Sequence, residues 1–180
     1  GARQRTESGV LRVGQSYVVY GKANTTQINV TDVANNQGGF AIIGQGTADL
    51  TGYAVSAAGD VNGDGLADII VGAPNKAEGT ELKTGYSYVV YGKSTSTQVN
   101  LTHVADNKGG FAIIGQGADD MNGYSVSAAG DVNGDGLADL IVGAHGYDAA
   151  HSNVLTGRSY IIFGSKTGAF AAGTAVDNTG

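Results

Sequence analysis

The 180-residue sequence has no cysteine and a single proline. The first absence excludes disulfides and thiolate metal sites; the second excludes a collagen-like chain or a proline-rich linker. Basic residues are also scarce. Ten Lys and Arg stand against 16 Asp and Glu, for a formal net charge of −6. The ten are scattered, so no basic stripe follows a phosphate backbone and nucleic acid is excluded as a partner. No apolar run approaches the ~20 residues that span a bilayer. The opening GARQRTESG has no apolar core of a secretory leader, so an exported form is expected to have lost its leader already.

Glycine, by contrast, is abundant at 31 residues, well over twice the usual share of about 7%. Apolar residues make up 41% of the chain, with Val, Ile, Leu and Tyr in short clusters. Many short apolar segments joined by tight turns read as all-β. The length allows one large core or two or three repeating units that share one.

Internal repetition chooses the second arrangement. SYVVYGK at Ser16 to Lys22 returns at Ser87 to Lys93, and GGFAIIGQG at Gly38 to Gly46 returns at Gly109 to Gly117, both 71 residues later. A third, partial copy follows, TGRSYIIFG at Thr156 to Gly164 against TGYSYVVYG at Thr84 to Gly92. One unit is predicted to hold four strands, starting at Gly52, Ala67, Ser87 and Gly109, and no segment shows a helical period. The runs DIIVGA, YVVY and FAII are apolar on both strand faces, which requires cover on both sides. Four-stranded sheets stacked face to face describe blades of a β-propeller. The competing architectures are a β-sandwich, whose strands usually alternate, and a solenoid with a duplicated segment. On the propeller reading, residues 1–46 are the third and fourth strands of one blade, 47–117 a complete blade, and 118–180 a further incomplete one. That makes about two to two and a half blades.

The stretch GDVNGDGLAD occurs at Gly59 to Asp68 and again at Gly130 to Asp139. Counted from its first Asp, it places Asp60, Asn62, Asp64 and Asp68 at positions 1, 3, 5 and 9, and Asp131, Asn133, Asp135 and Asp139 in the second copy. Oxygen-bearing side chains at alternate positions converge when the backbone coils around a point, and a glycine at position 6 allows the sharp turn. Leu66 and Leu137 at position 7 offer a backbone carbonyl. All the donors are hard oxygens, which suits Ca²⁺, two ions per chain, and disfavours zinc or copper. An EF-hand is excluded, because position 12 is Val71 or Val142 rather than Glu and the flanks read as strands. A bare Asn-Gly and Asp-Gly turn explains NGDG. It does not explain the outer carboxylates, which repel one another without a cation.

GYAVSAAGDVNGDGLADIIVGAP at Gly52 to Pro74 and GYSVSAAGDVNGDGLADLIVGAH at Gly123 to His145 resemble the FG-GAP repeat of integrin α-subunit propellers and of bacterial surface and secreted proteins. That resemblance implies a calcium ion held by Asp60, Asn62, Asp64, the Leu66 carbonyl and Asp68. It implies a second held by Asp131, Asn133, Asp135, the Leu137 carbonyl and Asp139. Thr51 and Asn122 replace the Phe of the FG element, and His145 the Pro of the second GAP; these departures bear on blade packing more than on the metal.

No catalytic constellation stands out. His103, His145 and His151 occupy non-equivalent places in the repeat, and Ser and Thr lack a nucleophile elbow. Other acids outside the loops, such as Glu78, Glu81, Asp119 and Asp120, could form a carboxylate pair in space. Asn24, Asn29 and Asn100 head Asn-x-Thr sequons. The expected function is a non-catalytic, calcium-binding extracellular or cell-surface module for adhesion or protein interaction. The alternative is the propeller portion of a secreted polysaccharide-degrading or carbohydrate-binding protein. Its partner is a protein or glycan. Its ring is closed either by further copies of the chain or by the rest of a longer propeller.

Overall fold

The computed structural model describes residues 1–7, 10–148 and 155–167. Their strands form three sheets, the blades of a partial propeller. The N-terminal sheet is built from β1 (Ala2–Glu7), β2 (Val10–Val19) and β3 (Gly39–Thr47), each antiparallel to the next. The middle sheet runs in simple succession through β4 (Val55–Gly59), β5 (Asp68–Ala73), β6 (Tyr86–Val90) and β8 (Gly110–Ile114). Between the last two lies β7 (Val99–Asn100), which joins the N-terminal sheet by pairing parallel with β3. The C-terminal sheet holds β9 (Asn122–Gly130), β10 (Asp139–Ala144) and β11 (Arg158–Ile162).

The four expected strands of the middle unit are therefore present and in order. Their two-faced apolar character has the expected cause. Val71, Ala73, Tyr86, Tyr88 and Val90 face the N-terminal sheet and bury against Phe40 and Ile42. Alternate residues of the same strands, Ile70 and Val89, turn the other way and meet Leu140 and Val142 of the C-terminal sheet. Each side chain of this size contributes about 1.5–3 kcal/mol on burial, so the two inter-sheet cores dominate stability. Backbones also meet there. A Cβ added to Gly72 would lie 2.0 Å from the Gly123 carbonyl oxygen, which only glycine permits. Thr51 and Asn122, at the altered FG positions, are both buried at these junctions, and Asn122 Nδ2 donates to the Ile113 carbonyl at 2.7 Å.

Two features besides the parallel strand β7 were not expected. The N-terminal segment, read as two strands, holds a third, β1. Its pairing of Ala2 with Gln15 and Glu7 with Val10 reproduces, 71 residues earlier, the pairing of Ala73 with Tyr86 and the bridge of Glu78 with Glu81. β1 is thus the counterpart of the end of a second strand and its hairpin. The chain also forms two single-turn helices, α1 (Val30–Ala34) and α2 (Leu101–Ala105). Asn29 and Asn100 cap them, each side chain accepting the N–H of the Thr two residues on at 2.9 Å. The suggested strand in the tail 169–180 lies outside the described residues.

Candidate metal centre

The two acidic loops join β4 to β5 and β9 to β10, and they have the same internal bonding. The Asp60 carboxylate accepts N–H bonds from Gly63 at 2.7 Å, Asp64 at 3.1 Å and Gly65 at 2.9 Å. Asp131 accepts from Gly134, Asp135 and Gly136 at 2.7, 3.1 and 2.9 Å. The coil that turns these amides inward requires left-handed backbone at Gly63 and Gly65, with φ of 76° and 85°. Asn62 Nδ2 donates to Asp64 Oδ2 at 2.9 Å, and Asp64 Oδ1 accepts the Leu66 N–H at 2.8 Å. Asn133, Asp135 and Leu137 repeat both contacts at 2.8 Å.

Position 9 has a further role that the side-chain pattern did not show. Asp68 is buried, and its two oxygens accept N–H bonds from Val61 at 2.9 Å and from Gly92, just beyond β6, at 2.7 Å. Asp139 does the same with Val132 at 2.7 Å and Gly164 at 2.8 Å. The carboxylate ties the loop to the end of the third strand. Gly92 and Gly164 belong to the recurring YVVYG and YIIFG segments, so the repeat held the only available signal.

Burial raises the pKa of Asp68; the Gly92 and Val61 amides oppose this, and the charges of Asp64 and Asp60 raise it further. The charges of Asp64 and Asp60 thus reach Asp68 across the loop. Among the described residues, no three His, Cys, Asp or Glu side chains are gathered into a ready metal-binding group. The loop carboxylates are satisfied by backbone amides instead. The donor set still fits a hard cation, because most of these oxygens accept one N–H bond and retain a free lone pair, and a divalent ion would cancel the mutual repulsion. Asp60, Asn62, Asp64, Leu66 and Asp68 would hold one such ion, and Asp131, Asn133, Asp135, Leu137 and Asp139 another.

The loops also touch. Ala138 N–H donates to the Asp60 carbonyl at 3.0 Å, and Ser165 N–H to the Val61 carbonyl at 2.9 Å. Val61 is fully buried in the second inter-sheet core.

The other candidates are dispersed. His103 is exposed on α2, and His145 lies with its ring 4.0 Å from that of Tyr124, whose ring meets that of Tyr53 at 4.8 Å and a 40° tilt. His151 lies outside the described residues. Glu78 accepts a bond from the Tyr86 hydroxyl, and its backbone bridges that of Glu81. Asp119 pairs with Lys83 at 3.2 Å. Asp120 is buried and accepts N–H bonds from Gln116 and Gly117 at 2.8 and 2.7 Å. The carboxylates of Glu78, Asp119 and Asp120 thus each have a structural partner, and that of Glu81 is exposed. The described residues contain no helix long and apolar enough to cross a membrane.

Comparison with known proteins points the same way. The FG-GAP repeat family matches residues 51–90 and 122–162, each stretch running from the altered FG element through the acidic loop to the third strand. Integrin alpha pat-2 of Caenorhabditis elegans is 36% identical over 105 residues, covering 58% of this chain and 8% of its own length. Integrin alpha-PS2 of Drosophila melanogaster is 32% identical over 141 residues, covering 73% of this chain and 9% of its own. The phosphatidylinositol-glycan-specific phospholipase D of Bos taurus is 33% identical over 121 residues, covering 65% of this chain and 14% of its own. The chain thus spans under a tenth of these integrin relatives.

Proposed function

From the premise that this chain is a partial propeller of FG-GAP repeats, similar to the integrin alpha chains, we propose that it is a calcium-braced, non-catalytic module of an extracellular or cell-surface protein. Its role is adhesion or another interaction with a protein or glycan partner. The observation that carries the metal is the duplicated loop, in which three carboxylates with like charge are gathered and their oxygens are held by the same amides in both copies. Calcium supplies the charge that makes this arrangement favourable. The residues around it supply the geometry: the Gly63 and Gly65 turn presents the donors, and Asp68 anchors them to β6.

The expected affinity is that of extracellular modules, about 10⁻⁴ to 10⁻³ M. At ten times Kd, each bound ion stabilises the fold by about 1.4 kcal/mol. For a chain of this size two ions correspond to roughly 5–10 °C in Tm. Thermal melts in millimolar calcium and in EDTA test this, with Asp64→Ala and Asp135→Ala each expected to remove part of the calcium-dependent shift. Identical melts with and without chelator would overturn the metal assignment.

The similarity to a phospholipase D favours a second reading, in which these blades form part of a secreted enzyme, including one that acts on or binds polysaccharides. A glycan array combined with lyase and hydrolase assays separates the two, since turnover of any substrate by this chain contradicts the non-catalytic reading.

A further inference from the structure

Asn-Gly occurs three times in the chain, at Asn62-Gly63, Asn122-Gly123 and Asn133-Gly134. This dipeptide is open to self-attack, because glycine puts no side chain in the way when its backbone nitrogen closes on the carboxamide carbon of the preceding asparagine. The fold sorts the three. Asn122 is 1% exposed at a junction between sheets, where its Nδ2 donates to the Ile113 carbonyl and the backbone of Gly123 packs against that of Gly72. Asn62 and Asn133 stand instead in the turns of the acidic loops. Asn62 is half-buried and Asn133 exposed, and each is followed by an exposed glycine in left-handed backbone, with φ of 76° at Gly63 and 78° at Gly134.

We propose that Asn62 and Asn133 are sites of spontaneous conversion to aspartate and isoaspartate, at a rate set by the hydrogen bonds of their own loops. In the first step the Gly63 nitrogen gives its proton to water or hydroxide and bonds to Cγ of Asn62, while the Cγ–Nδ2 bond breaks and ammonia leaves. Water then opens the cyclic imide. Opening at one carbonyl gives aspartate, and opening at the other gives isoaspartate, which adds a methylene to the main chain. No oxidant or enzyme is needed.

Ring closure costs the loop its inner bonds. The imide nitrogen carries no hydrogen, so the bond that Gly63 donates to Asp60 at 2.7 Å is lost, and the departing Nδ2 takes with it the bond to Asp64 at 2.9 Å. Gly134 and Asn133 lose the equivalent bonds, to Asp131 at 2.7 Å and to Asp135 at 2.8 Å. Two such bonds slow conversion by about ten- to a hundredfold relative to the unfolded chain. The aspartate product places a further carboxylate where a donor had stood, so conversion raises the demand of the loop for a cation. The inference does not depend on calcium being bound.

The whole chain is incubated in mildly alkaline buffer without added calcium, with circular dichroism checking that it stays folded, and in parallel in denaturant. Peptide mapping with electron-transfer fragmentation locates the small mass gain and separates aspartate from isoaspartate. In denaturant all three asparagines are expected to convert at similar rates. In the folded chain Asn62 and Asn133 should convert about ten- to a hundredfold more slowly, while Asn122 stays intact. Rates at Asn62 and Asn133 equal to those in denaturant overturn the proposal, as does the absence of any conversion there. An Asn122 that converts as fast as the loop residues overturns it too, because the loops would then confer no selectivity.

Discussion

At the scale of single residues, the junctions between sheets set the tightest constraints. Gly72 lies where two backbones meet, and an added methyl would fall 2.0 Å from the Gly123 carbonyl, with no flexible side chain to move aside. Gly65 has a left-handed φ of 85° but open space around its missing Cβ. Gly72→Ala is therefore expected to cost about 3 kcal/mol or more, at or beyond the upper end of overpacking. Gly65→Ala should cost only the left-handed strain of roughly 1–2 kcal/mol. Chemical denaturation of both variants checks the order, and equal losses would show that the junction relaxes. Polar partners at equivalent sites need only be complementary. Lys76 lies 5.4 Å from the centroid of the Tyr86 ring, and in the next blade the roles are exchanged, with Arg158 3.9 Å from the Tyr147 ring. The pair survives the swap because a cation over an aromatic face is indifferent to which strand supplies which.

At the scale of elements, α1 and α2 show how far equivalent segments differ in what depends on them. Both are single turns, too short to form alone, and both rest on an Asn cap. Behind Asn100, the helix buries Leu101 and Val104 in the core between sheets, whereas behind Asn29 the first helical residue, Val30, is exposed. Asn100→Ala is expected to cost about 1 kcal/mol and lower Tm by roughly 2–4 °C. Asn29→Ala should cost measurably less, and differential scanning calorimetry of the two variants compares them. These helices were illegible in the sequence, since five residues cannot display a 3.6-residue period. β1 was illegible for another reason: ARQRTE carries no strand pattern, and only the match of Gly1-Ala2 to Gly72-Ala73 marks it. The runs DIIVGA, YVVY and FAII were legible because burial on both faces leaves an apolar signature at every position. In the acidic loops, the side chains at positions 1, 3, 5 and 9 could be read directly. Their tethers to Gly92 and Gly164 could not, because backbone amides donate there and every residue but proline has one.

At the scale of the whole molecule, the two loops are equal in sequence but not in surroundings. In a chain of repeats each unit draws stability from its neighbours, and among the described residues the first loop has a neighbour on a side where the second has none. Its Asp60 and Val61 carbonyls accept bonds from Ala138 and Ser165, and Val61 is buried against Leu140 and Val142. Val132, in the same place in the second loop, is largely exposed. Rigidity tunes the calcium affinity of oxygen-donor loops, so the braced loop loses less freedom when an ion binds. Two backbone hydrogen bonds at about 1 kcal/mol each amount to roughly a tenfold or greater difference in Kd. Calorimetric titration of the chain with calcium should resolve two classes of site. Asp64→Ala should abolish the tighter class and Asp135→Ala the weaker. A single class, or the reverse assignment, would show that the contact with the C-terminal sheet does not order the first loop.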